Sequence, residues 1–165
     1  MHKVPKNCCH EAIKPIAWLI GKWKNITGEG FYPTIEPFTY CDEITFESIG
    51  QPLLNYMAQS WDPIQTKPLH LERGFLRIKP GTNQIAFMVA HNIGVTSIEE
   101  GEANECEMRC QSTQISSMSF VRDPHVCSLQ RLIKMNKDGN LEINLFMETV
   151  NTPLTQHLKA EYRNC

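Results

Sequence analysis

No stretch of the sequence is apolar for long enough to cross a bilayer, which takes about 18 or more residues. The longest candidate, Pro15-Ile-Ala-Trp-Leu-Ile20, is stopped by Gly21 and Lys22. The first ten residues lack the apolar segment and small-residue cleavage site of a secretory signal, so a cytoplasmic location is expected. Lysine and arginine never cluster. Lys14, Lys22 and Lys24 stand among apolar residues, and the formal net charge is -2. Phosphate recognition needs a basic face, so neither nucleic acid nor a membrane surface is expected as a partner. Also absent are a nucleophile elbow, a phosphate-binding glycine loop and a metalloprotease helix.

The cysteines form no framework either. There are seven, an odd number, at irregular positions: Cys8, Cys9, Cys41, Cys106, Cys110, Cys127 and Cys165. A small secreted scaffold would prefer an even set, so reduced thiols are the simpler expectation. Cys8-Cys9-His10, with His2 nearby, has no second spaced pair to complete a tetrahedral zinc site. Cys106 and Cys110 fall in a stretch expected to be strand, where both would share a face.

What is present is the patterning of one domain. A chain of 165 residues suits a single core and buries roughly 70% of its unfolded surface without staples. Residues 1–10 are expected to be a flexible tail, and residues 11–165 the folded domain. Apolar residues at 13, 16, 17 and 20 have helical spacing, with Pro15 in the first turn and Gly21 placed as a C-cap.

Everything beyond reads as strands. Expected strands cover 39–49, 53–61, 69–79, 84–91, 95–99, 105–111, 115–121, 126–135, 141–150 and 155–162. Gly74 suggests a bulge or a barrel corner. Asn136-Lys-Asp-Gly-Asn140 is a hairpin signal, because Asp-Gly accepts the positive φ of such a turn. Glu99-Glu100-Gly101-Glu102 has the look of a solvated turn. One helix followed by nine or ten strands with tight turns predicts an all-β, antiparallel up-and-down barrel, wide enough to hold one ligand.

Three segments carry the functional signal. Gly21-x-Trp23 leads into Gly28-x-Gly30-x-Tyr32-Pro33-Thr34. Pro68-Leu-His70-x-Glu72-x-Gly74 lies mid-chain, and Thr155-Gln156-His157-Leu158 near the end. Trp23, just after a helix, is suited to plug one end of a barrel.

In order and spacing these segments resemble the nitrobindin family over about residues 15–163, including the animal form found behind a THAP-type zinc finger. The resemblance implies a ten-stranded barrel akin to fatty-acid-binding proteins and lipocalins, holding ferric heme b at its open end. It further implies isomerisation of peroxynitrite to nitrate and reaction with nitric oxide. By this resemblance His157 is the proximal iron ligand, Thr34 contacts heme, and His70 and His91 line the pocket. His91 departs from the family's glutamine, and Lys24-Asn-Ile-Thr27 lengthens the glycine motif as in the animal form. No zinc-finger pattern occurs in these 165 residues, so DNA binding is not expected of them.

Periodicity alone points elsewhere. It places His157 with Thr155, Lys159 and Glu161, opposite Leu158, Ala160 and Tyr162, which is the solvent side. The motif is preferred to the periodicity here. His70 and His91, each flanked by apolar residues, read by themselves as structural histidines before ligands. Two other functions fit a barrel: a carrier of fatty acids or other hydrophobic ligands, and an interaction module with an empty barrel. A carrier would need a carboxylate clamp drawn from Arg73, Arg77, Arg131 or Tyr162.

Overall fold

The computed structural model describes residues 9–165. The expected tail therefore falls mostly outside the described residues, as do His2 and Cys8. His10 is described, and its Nδ1 accepts the Ala12 N–H at 3.1 Å, capping the helix that follows.

That helix, Glu11–Leu19, is 3-10 rather than α. Its buried residues are Ile13, Ile16 and Leu19, a spacing of three, which is the 3-10 repeat in which i and i+3 eclipse. Gly21 is not its cap. Ile20 holds that position, and Gly21 opens the first strand at a φ of 145°. Trp18 Nε1 donates to Asn104 O at 2.7 Å and Trp23 Nε1 to Leu19 O at 2.8 Å, which pins the helix across one end of the barrel.

Eleven strands follow: β1 (Gly21–Tyr32), β2 (Ile35–Thr39), β3 (Cys41–Ser48), β4 (Leu53–Trp61), β5 (Pro68–Ile78), β6 (Gln84–His91), β7 (Val95–Ala103), β8 (Glu107–Ser117), β9 (Val126–Met135), β10 (Leu141–Thr149) and β11 (Thr152–Asn164). All pairings are antiparallel. β1 bonds to β3 and to β11, which closes ten strands into a ring, while β2 folds back onto the outer half of β1. The ten-stranded barrel is thus as expected.

Several local expectations are corrected. Residues 21–32 form a long strand that glycine and polar residues hid. The two short strands expected at 105–111 and 115–121 are one strand, β8, and residues 118–125 form a loop. Cys106 precedes β8 and is exposed, whereas Cys110 is buried, so the two share no face. The described cysteines are free thiols. Gly74 is no bulge: its pairing is regular on both sides, and it is glycine because a Cβ would lie 1.9 Å from the Met88 carbonyl oxygen. The Asn136–Asn140 hairpin is present, with Gly139 at φ 78°.

The core sits at the helix end. Ile13, Ile16, Leu19 and Trp23 pack with Phe46, Leu54, Tyr56, Leu76, Ile85, Phe87, Met108, Leu141 and Tyr162. The opposite end is open. The β8–β9 ladder runs from Glu107–Lys134 only as far as Gln111–Gln130, and the rest of β8 continues toward this end without a β9 partner in register.

Candidate functional site

The open end is ringed by the turn 33–34, the loops 62–67, 92–94 and 118–125, and the turn 150–151. Most of the exposed large apolar side chains belong to these segments and the strand tips beside them. They include Ile35, Phe38, Leu69, Ile93, Phe120 and Leu154. Phe120 is 78% exposed, an unusual position for a phenylalanine unless something covers it.

His157 lies just inside this rim. Between Leu145/Leu158 and Phe146/Gln156 the β10–β11 register slips, which leaves His157 as the extra residue of a β-bulge. A bulge re-aims its side chain, and this is why the period-two reading failed. The ring packs edge-on against Tyr32 at 5.3 Å and near Phe38 at 6.5 Å. Phe38 reaches this position over Gly30, where a Cβ would lie 2.1 Å from the Phe38 ring.

The His157 Nδ1 stands 3.1 Å from Phe31 O. A carbonyl can only accept, so Nδ1 carries the proton and the neutral ring keeps its lone pair on Nε2. Burial lowers the imidazole pKa. The Phe31 carbonyl opposes this, and His70 lowers it further.

Thr34 lies in the exposed turn between β1 and β2, at the same end. His70 and His91 come together: His70 Nε2 is 3.0 Å from His91 Nδ1. Both approach Glu72 Oε1, at 3.2 Å and 3.3 Å. Period two puts His70 and Glu72 on one face of β5, and Glu72 pairs directly with His91 on β6.

Beneath them runs a buried polar floor. Arg131 donates to Glu72 Oε2 at 3.0 Å, to Glu72 Oε1 at 3.2 Å and to Glu99 Oε2 at 2.7 Å. Tyr56 donates to Glu72 Oε2 at 2.7 Å, and the Arg131 guanidinium lies over the Phe87 ring. Burial would raise the Glu72 carboxyl, but Arg131 and the two histidines outweigh it and hold the group well below the usual carboxylate range. Asp42, bonded to the Tyr162 hydroxyl at 2.7 Å, is instead pushed up to about 7 by burial.

Glu99 overturns a sequence expectation. It is fully buried within β7, not in a solvated turn. Alternation of Val95, Ser97 and Glu99 carried the signal, but the inward residues are polar and so hydrophobicity did not mark them. The candidate carboxylate clamp also dissolves: Arg131 is already engaged by two carboxylates, Tyr162 by Asp42, and Arg73 and Arg77 are exposed.

Residues 12–164 match the family model of the THAP4-like, heme-binding beta-barrel domain. The chain belongs to that family. The motif-based resemblance to nitrobindins is thereby borne out. The peroxynitrite isomerase THAP4 of Rattus norvegicus is 40% identical over 163 residues, covering 98% of this chain and 28% of its own length. The chain therefore spans a little over a quarter of the animal relative it matches. A peroxynitrite isomerase of Nocardia farcinica is 36% identical over 96% of this chain and 94% of its own. The crystal structure of Rv2717c from M. tuberculosis superposes with a TM-score of 0.83 at 31% identity, covering 94% of this chain and 98% of that one.

Proposed function

We propose that this chain binds ferric heme b at its open end through His157 Nε2 and isomerises peroxynitrite to nitrate, with nitric oxide as a second ligand. The observation that carries the reading is the bond from His157 Nδ1 to Phe31 O. It fixes the tautomer and leaves Nε2 as the unprotonated nitrogen. The lowered imidazole pKa keeps that nitrogen unprotonated at neutral pH.

The residues present fit the group. A planar apolar macrocycle needs apolar walls, and Phe38, Leu154 and Phe120 supply exposed ones at the rim. Thr34, His70 and His91 would border it. When bound, the iron supplies a Lewis-acid position for an anionic oxidant. Tyr32, tied by its hydroxyl to Met147 O at 3.1 Å, buttresses the His157 ring. His70, partly exposed on β5, would line the same space.

A fatty-acid carrier would need an unengaged cation in the lumen, and Arg131 is not one. Titration of the protein with ferric heme is expected to give a saturable Soret shift that disappears in His157→Ala. If the mutant retains the wild-type shift, His157 is not the ligand.

A further inference from the structure

Three donor atoms meet at one point on the lumen wall: His70 Nε2, His91 Nδ1 and Glu72 Oε1, separated by 3.0, 3.2 and 3.3 Å. With both histidines neutral, hydrogen bonding alone serves this triangle poorly. Ser97 Oγ donates to Glu99 Oε1 at 2.8 Å, so it accepts from His91 Nε2, 3.3 Å away. Neutral His91 must then turn a lone pair from Nδ1 toward a carboxylate oxygen. One proton on His70 satisfies two of the three contacts and leaves these two acceptors facing each other.

A metal ion satisfies all three. Donors at zinc-ligand distances in a tetrahedron lie about 3.3 Å apart along each edge. The separations here fit one face of that figure. Charge points the same way: two buried carboxylates, Glu72 and Glu99, face a single guanidinium, Arg131. One of those carboxylates, Glu72, is itself a corner of the triangle.

We propose that His70, Glu72 and His91 bind a divalent transition-metal ion of the zinc class, with the fourth position open toward the barrel mouth. Two imidazoles and one carboxylate select such an ion over magnesium or calcium, which demand oxygen donors. The His91–Ser97–Glu99 relay is the outer shell that fixes the tautomer of a metal-binding histidine. His70, with 37% of its side chain exposed, is the access route. His157 is not among the donors, so the site does not depend on the heme reading.

The test is a titration of the heme-free full chain with Co2+, followed by Zn2+. One equivalent of Co2+ should develop the visible bands of a four-coordinate ion, and Zn2+ should abolish them. His91→Gln should lose saturable uptake, while Ser97→Ala should weaken it about tenfold. Replacing half-exposed His70 by alanine gives the same reading should His91→Gln fail to fold. His157→Ala should take up metal like the wild type, whatever its heme titration shows. Absence of saturable uptake by the wild type would mean that protons alone hold the cluster, and the proposal fails. Uptake preserved in His91→Gln with thiolate charge-transfer bands would assign the ion to cysteines, which also overturns it.

Discussion

The two ends of this barrel obey opposite rules. At the closed end, Ile13, Ile16, Leu19 and Trp23 are all buried, and the two tryptophan N–H groups are bonded to backbone carbonyls. At the open end, apolar side chains face solvent, polar ones face inward, and the β8–β9 ladder gives out. One end is built for stability, which needs apolar surface removed from water. The other leaves apolar surface in water, which costs stability. The polar floor of Glu72, Arg131 and Glu99 is the boundary between the two.

That contrast can be broken most severely at its boundary. Arg131→Met leaves Glu72 and Glu99 buried without their cation and should cost about 3–5 kcal/mol at neutral pH. The loss, measured by urea unfolding, should shrink at acid pH as the orphaned carboxyls take up protons. An equal loss at both pH values would mean that the guanidinium acts by packing on Phe87 and not by charge.

The ends themselves should differ next. Leu19→Ala in the plug should cost about 2–5 kcal/mol with an unchanged denaturant slope. Phe120→Ala at the rim should stay within about 0.5 kcal/mol of the wild type in heme-free protein, since its ring is largely in water. Comparable losses at both sites would erase the distinction.

A buried titrating group sharpens it. Burial raises Asp42 to about 7, above its free value of 3.8. Between those values the native state holds a proton that the unfolded chain has released. The resulting stabilisation is full below about 3.8 and is lost as pH rises through about 7. Asp42→Asn keeps an acceptor for Tyr162 and never ionises, so it should stabilise at pH 8 by on the order of 1–2 kcal/mol. The gain should fade toward pH 5. A constant difference across that range in thermal melts would refute a titrating Asp42.

Legibility followed the same division. Strands at 53–61, 84–91 and 126–135, and the Asp-Gly hairpin after them, stand in the structure where alternation and turn chemistry placed them. Trp23 at the plug was foreseeable from its size and its place after a helix. Around the lumen, the signals inverted. Ser97 and Glu99 face inward while Ile98 is 36% exposed, so hydrophobicity did not mark the inward face of β7. His157 escaped the period-two rule because a bulge inserts it. Glu72 was in view within the His70-x-Glu72-x-Gly74 motif, but its partner His91 lies 21 positions beyond His70 and only strand register joins them.

By itself, then, the sequence determined an all-β barrel with a short helix, its main turns, and family motifs that singled out His157, His70, His91 and Thr34. Those features are written in local periodicity and in turn residues whose backbone preferences act over a few positions. Tertiary structure alone decided which way His157 points, that Glu99 is buried, and that two histidines and a glutamate meet at one point. Each of these depends on the register between strands distant in the chain, which no local pattern encodes.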